Sequence, residues 1–232
     1  MDLLKQKSLF VIIIIIWHLS ACKNVDSDSM QPIDGYPMVK STEEIELSLK
    51  RKCVDTIKFR NGEIIADIGA GNGYLEAMLS IYNDSLTFYI QDIDTSVCNQ
   101  NIINDVVDFY QKVNGRPFTN KFIAVNGTDT RTNLPDNNCD KILMLWTYQY
   151  LKSPREFIKD VREKLKDEGL FYVINPNINY ESEPTTSNGW NGAPIEKEIS
   201  DIIDCGFELI RVCRNYDSPE LPFIMVFKKK NL

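Results

Sequence analysis

Histidine is almost missing from this 232-residue chain: His18 is the only one, and it lies in an apolar N-terminal run. If that run is removed on export, the rest of the chain has no imidazole. Histidine general bases, Ser-His-Asp and Cys-His nucleophile systems and histidine metal sites are then excluded. Cys-x-x-Cys pairs are also missing. The cysteines other than Cys22 are Cys53, Cys98, Cys139, Cys205 and Cys213, widely spaced and odd in number, which argues against a zinc centre. Export would permit a disulfide, with Cys205 and Cys213 as a local pair. Buried thiols are the plainer reading. There is no excess of positive charge. The net charge is −7, so no broad basic surface is available for nucleic-acid phosphates.

The chain also lacks an apolar run long enough to span a bilayer, which takes about 20 residues. It has a shorter one. Lys5 and Lys7 precede an isoleucine-rich stretch from Leu9 to Trp17, which ends in Leu19-Ser20-Ala21-Cys22. This arrangement resembles a bacterial lipoprotein signal peptide, residues 1–21. The resemblance implies cleavage before Cys22, lipidation of that cysteine and an anchored place in the cell envelope. Lys23 follows the cysteine, where some bacteria use aspartate to retain lipoproteins at the inner membrane, so the outer membrane is the expected site. Residues 22–40, polar and rich in Asp, Ser and Pro, read as a lipidated tether. The remainder, 41–232, is the length of one domain, and 43% hydrophobic residues overall is enough for a core.

Within that domain the pattern alternates between strand and helix. Ser41 and Glu44 have capping-box spacing, and helical periodicity continues through Ile57. Strands are expected at 63–68, 86–91, 122–125, 141–146 and 170–174, with helices at 74–81, 95–113 and 154–166. A helix at 194–203 and strands at 207–213 and 222–228 complete the chain, the last two as antiparallel neighbours. Strand–helix alternation of this kind specifies an α/β fold with a mostly parallel sheet covered by helices on both faces.

The stretch Asp67-Ile68-Gly69-Ala70-Gly71-Asn72-Gly73 falls between the first strand and its helix. Glycines there permit tight backbone conformations and close approach of a ligand, and the helix start offers free N–H groups. About one strand later, Asp92 stands at the tip of the adjacent strand, where a carboxylate can accept both hydroxyls of a ribose. Asp94 is a rival for that role. At these residues the sequence resembles the class I S-adenosylmethionine-dependent methyltransferases. The Gly-x-Gly-x-Gly spacing is theirs, whereas nicotinamide enzymes use Gly-x-Gly-x-x-Gly. Further points of likeness are Leu134-Pro135-Asp136, the stretches 139–143 and 165–170, and Gly206-Phe207-Glu208.

The resemblance covers residues 41–228 and implies a three-layer Rossmann-like sheet of order 3-2-1-4-5-7-6, with strand 7 antiparallel. It implies S-adenosylmethionine as cofactor, with Asp67, Gly69, Ala70, Gly71, Asn72 and Gly73 around its methionine end. Asp92 would hold the ribose and Ile93 would flank the adenine. Thr128 and Asp129 would lie at the adenine edge, and Leu145 and Trp146 near the reactive methyl. The sequence departs from related methyltransferases after the fourth strand. They carry an acid followed by Tyr-His-Glu, and this chain reads Trp146-Thr147-Tyr148-Gln149-Tyr150. No catalytic residue is therefore assigned, and no metal. The expected activity is methyl transfer to an unspecified acceptor. The alternative is a methyltransferase-fold lipoprotein that binds or scaffolds without turnover. Asn175-Pro176-Asn177 reads as a turn, and 182–194 as a polar loop carrying Trp190.

Overall fold

The computed structural model describes residues 38–175, 195–213 and 222–230. The signal peptide, Cys22, most of the tether, Pro176-Asn177, the 182–194 loop and the turn of the last hairpin lie outside the described residues.

Seven strands form one sheet: β1 (Ile64–Ile68), β2 (Thr87–Asp92), β3 (Lys121–Asn126), β4 (Cys139–Leu145), β5 (Leu165–Asn175), β6 (Phe207–Cys213) and β7 (Phe223–Lys229). Their order is β3-β2-β1-β4-β5-β7-β6. The first five pair in parallel, whereas β7 runs antiparallel to both β5 and β6. This is the expected order and sense. Five helices accompany the sheet among the described residues: α1 (Thr42–Arg51), α2 (Tyr74–Leu79), α3 (Gln100–Asn114), α4 (Pro154–Lys164) and α5 (Ile195–Asp204). None is long and apolar enough to cross a membrane.

The central strands are apolar along their length because helices cover both faces of a parallel sheet. Ile65, Ala66 and Ile68 of β1 and Ile142, Leu143 and Met144 of β4 are all buried. Under the antiparallel end, Phe171, Phe207 and Phe227 pack with ring centroids 5.4 to 6.4 Å apart. Each such buried ring contributes on the order of 2–3 kcal/mol.

Two helices differ from their sequence expectation, each for a local reason. The periodicity from Ile45 to Ile57 predicts one helix, but α1 stops at Arg51. Cys53 then takes a left-handed conformation (φ 58°), and a short 3-10 turn buries Val54 and Ile57 instead. The Ser41 cap forms as expected, its hydroxyl accepting from the Glu44 N–H at 3.2 Å. The helix expected from Thr95 begins at Gln100. Asp94 accepts from the Ser96 N–H and hydroxyl in a turn, and Asn99 caps α3 by accepting from the Ile102 N–H. Residues 165–166, expected as the end of the 154–166 helix, and 167–169, expected to separate it from the strand, are all part of β5, with an irregularity in its pairing to β4. All five described cysteines are free thiols, Cys205 and Cys213 included.

One buried acid gives the fold a pH dependence. Glu198 of α5 is 4% exposed and accepts from the Asn175 amide at the end of β5. Burial pushes its carboxyl up to about 7. Its folded value thus lies above the unfolded one, so the native state holds the proton more tightly. The associated stability is present below about pH 4.5 and is lost as pH rises through about 7, a swing on the order of 2–3 kcal/mol. Glu198→Gln should flatten that slope and melt higher than the parent chain at pH 8. Thermal denaturation across a pH series checks this.

Candidate functional site

In this strand order the direction of winding reverses between β1 and β4, and open α/β sheets bind ligands outside the carboxyl ends of such strands. The cleft here lies at that place. It has a volume of about 260 Å³ and is lined by Gly69, Asp92, Ile93, Thr128, Asp129, Leu145 and Trp146. Gln91, Thr147, Tyr150, Lys152 and Phe157 also line it. The tips of β1, β2 and β4 and the loop after β3 thus converge on one surface.

The glycine turn forms the floor. Gly69, Gly71 and Gly73 all have positive φ, at 74°, 59° and 78°. At Gly69 added bulk also collides: a Cβ there would lie 2.2 Å from Thr147 Oγ1 and 2.6 Å from its Cγ2, whereas at Gly73 the nearest atoms, of Ile90, are 3.4 Å away. Thr147 is fixed in that position by a hydroxyl lying 3.0 Å from the carbonyls of both Ile68 and Leu145. The N–H groups of Gly69 and Ala70 both donate to the Gln91 carbonyl, tying the β1 turn to the tip of β2. Ala70, Gly71, Asn72 and Gly73 are buried behind this floor, and Asn72 accepts from the Tyr74 N–H at 3.2 Å.

Of the two acids after β2, Asp92 is the one that lines the cleft. Its carboxylate accepts from the Gly71 N–H and the Asp94 N–H, each at 3.0 Å. Asp94 is committed to the Ser96 turn, whose donors hold its carboxyl below the ordinary value. A carboxylate can accept about four hydrogen bonds, so Asp92 retains capacity for hydroxyls while holding both loops. Ile93 is exposed beside it and offers an apolar face. Thr128 shapes its loop by accepting from the Arg131 N–H, and Asp129 pairs with Lys152 at 2.8 Å on the rim.

Trp146 departs from ordinary backbone geometry. It has φ 55° and is 41% exposed at the end of β4, with its N–H donating to the Ile174 carbonyl. Left-handed backbone costs a bulky residue roughly 1–2 kcal/mol. Its indole carries the Lys52 ammonium 4.6 Å from the ring centroid. Of the neighbouring aromatics, Tyr150 is 59% exposed in the cleft, whereas Tyr148 turns into the core toward Asp201 of α5. Because Trp146 borders the cleft, a ligand seated there should change tryptophan emission, and Trp146→Phe should abolish most of the change. Fluorescence titration reads this directly.

Asp67 does not line the cleft. It is 2% exposed beneath the turn, beside Glu76 of α2, which is fully buried. Burial first, and the neighbouring Glu76 next, push the Asp67 carboxyl well above the usual carboxylate range; burial also raises Glu76. Glu76 and Lys52 were not foreseen. An acid in the first turn of a helix reads as a favourable dipole charge, and nothing in the sequence places Lys52 beside the glycine turn.

The cleft suits an adenosyl ligand with a charged amino-acid end: an acid for ribose, apolar walls at Ile93, Leu145 and Phe157, and a glycine floor with buried carboxyls behind it. Comparison with known proteins bears on the same point. A methyltransferase domain family matches residues 66–173. Residues 66–173 are thus similar to a methyltransferase domain.

Among solved structures, a SAM-dependent methyltransferase from Aquifex aeolicus is similar at 17% identity and TM-score 0.60, over 81% of this chain and 97% of that one. The methyltransferase-type chain solved with the Haloferax volcanii Trm112 methyltransferase activator is similar at 12% identity and TM-score 0.60, over 82% and 94%. The cyclase SpnF shares the fold at 13% identity and TM-score 0.52, over 82% and 81%. No curated protein matches the sequence. The domain match and the shared fold support a SAM-dependent methyltransferase, with S-adenosylmethionine as its cofactor. The cyclase is a reminder that this fold serves more than one chemistry.

Proposed function

We propose that this protein is a lipid-anchored methyltransferase of the bacterial envelope, tethered through Cys22. In this reading Asp92 holds the ribose, Ile93 and Phe157 flank the adenine, and Thr128 and Asp129 border its edge. Gly69 faces the methionine end, and Asp67 and Ala70 to Gly73 support the turn from behind. The observation that carries the reading is the convergence of Gly69, Asp92 and Leu145 on one cleft at the switch point of the sheet.

The bound cofactor would supply an electrophilic methyl group: in-line attack by an acceptor lone pair would form the new bond to carbon as the carbon–sulfur bond breaks and S-adenosylhomocysteine leaves. The chain's task is then to hold the two reactants together and keep water out, and orientation of this kind is worth about 7–11 kcal/mol. Trp146 and Tyr150, both exposed at the cleft, supply aromatic faces for an acceptor to stack on. Among Trp146, Thr147, Gln149 and Tyr150 there is no carboxylate or imidazole to take a proton. An acceptor whose lone pair is already free, such as a thiolate or unprotonated amine, suits such a site best.

That same observation favours a second reading, in which the domain binds the cofactor or a partner without turnover. Incubating the full-length chain with methyl-labelled S-adenosylmethionine and cell-envelope fractions separates the two. Label transferred by the parent chain and not by Asp92→Ala supports the enzyme. Cofactor binding without transfer to any lipid, protein or small-molecule fraction supports the binding module. The anchor is tested independently: Cys22→Ala should move the chain from the membrane pellet to the soluble fraction, and an unchanged distribution would refute lipidation.

A further inference from the structure

Three buried carboxyl oxygens lie at the glycine turn: Asp67 Oδ1 and both Oε atoms of Glu76 meet no donor if both groups are ionised. Unpartnered buried oxygens are rare in folded proteins, and each is costly. A proton shared by the two carboxyls removes most of that cost, because the two side chains are buried side by side. A low-polarity site cannot easily hold two adjacent negative charges, so at least one proton stays while nothing else is bound.

The other groups facing the pair come from three elements. Lys52, after α1, is held against the rings of Tyr74 (5.5 Å) and Trp146 (4.6 Å), and burial lowers its ammonium's pKa. The Tyr74 hydroxyl of α2 is pushed up to about 12, and the Cys98 thiol ahead of α3 to about 11, so both are neutral near pH 7. Among the described residues Lys52 is the cation facing the pair, and one cation cannot balance two carboxylates.

We propose that Glu76 is a positioning residue for the amino-acid end of the cofactor: it shares a proton with Asp67 in the free protein, and the ligand's α-ammonium group displaces that proton on binding. The carboxyl O–H bond breaks, the proton passes to solvent, and the ammonium's charge on the cleft side of the turn balances the second carboxylate. Two carboxylates then face two cations, Lys52 and the incoming ammonium. This rests on the cofactor reading above, and it deepens that reading by making cofactor uptake release a proton.

The test is calorimetric titration of the full-length chain in detergent with S-adenosylhomocysteine, which carries the same amino-acid end. Buffers of different ionisation enthalpy are used between about pH 5 and pH 8, because the dependence of the heat on buffer counts protons released. The parent chain should release a measurable fraction of a proton, up to about one per ligand, and its affinity should rise with pH by as much as about tenfold per unit. Glu76→Gln offers Asp67 an amide donor and no second charge, so release should fall toward zero and the affinity profile should flatten.

Tight binding by the parent chain with no proton release overturns the inference and leaves the cofactor reading intact. Equal release by the parent and Glu76→Gln removes Glu76 from it. Absence of binding by the folded parent chain overturns the cofactor reading and this inference together. If Glu76→Gln does not fold, the parent chain's own proton count and pH profile still decide the matter.

Discussion

Replacing Gly69 by alanine is expected to abolish cofactor binding and to lower stability by about 2–5 kcal/mol. Two separate costs add. The φ of 74° places an alanine in left-handed backbone, at roughly 1–2 kcal/mol. The new methyl would also lie 2.2 Å from Thr147 Oγ1, and relieving such overpacking costs about 1–3 kcal/mol. Thr147 cannot swing away freely, because its hydroxyl is shared between the Ile68 and Leu145 carbonyls. The turn must move instead, and with it the Gly69 and Ala70 N–H bonds to Gln91.

For a chain of this size the loss corresponds to a fall in Tm of very roughly 5–20 °C. Removing Thr147's side-chain atoms in the double variant Gly69→Ala/Thr147→Ala should restore the overpacking part and leave the backbone part. The two substitutions would therefore be less damaging together than their sum. Additive costs would mean that the contact at the end of β4 does not restrict the turn.

Asp92→Ala should weaken S-adenosylhomocysteine binding by about 100-fold or more, while Asp94→Ala changes it only a few-fold. The difference follows from what each carboxylate does. Asp92 lines the cleft, and two hydrogen bonds from ribose to a carboxylate are worth about 1.5–3 kcal/mol each. Asp94 faces its own turn at Ser96. Losing Asp92 also leaves the Gly71 and Asp94 N–H groups without their acceptor, so a modest loss of stability, about 1–2 kcal/mol, should accompany the loss of affinity. Asp92→Asn keeps one oxygen and should fall between the two. Calorimetry and thermal melts on the four proteins check both effects. Equal losses of affinity for the two alanine variants would place the ribose elsewhere.

The strands and the glycine turn were legible in the sequence because the features that specify them are local, and the strand order followed from the family resemblance those residues carry. Apolar runs bounded by turn residues mark β1, β2 and β4, and a Gly-x-Gly-x-Gly turn after a strand needs only seven residues to be seen. An acid at the tip of the next strand could be placed from chain length alone. Asp92 was chosen over Asp94 by position; the capture of Asp94 by the Ser96 donors had no signal in the sequence.

Helix ends were harder to place. The apolar spacing through Val54 and Ile57 fits a helix, and only the left-handed turn at Cys53 ends it. Glu76 escaped notice because its position three residues after Gly73 is where helix starts ordinarily carry acids. Its burial against Asp67 comes from tertiary packing, which periodicity does not report. Trp146 was expected near the reactive methyl, and it does stand at the cleft; its positive φ had no signal in the sequence. Tyr148, matched by position to a tyrosine of related methyltransferases, is packed toward α5, so the aromatic faces left in the cleft are those of Trp146 and Tyr150.

The most direct test of the account is whether the folded, full-length chain binds S-adenosylhomocysteine through this cleft. Calorimetric titration should give saturable binding in the micromolar range, about −8 kcal/mol, that Asp92→Ala loses. A chain that is folded by its thermal melt and yet gives no binding heat at millimolar ligand would contradict it.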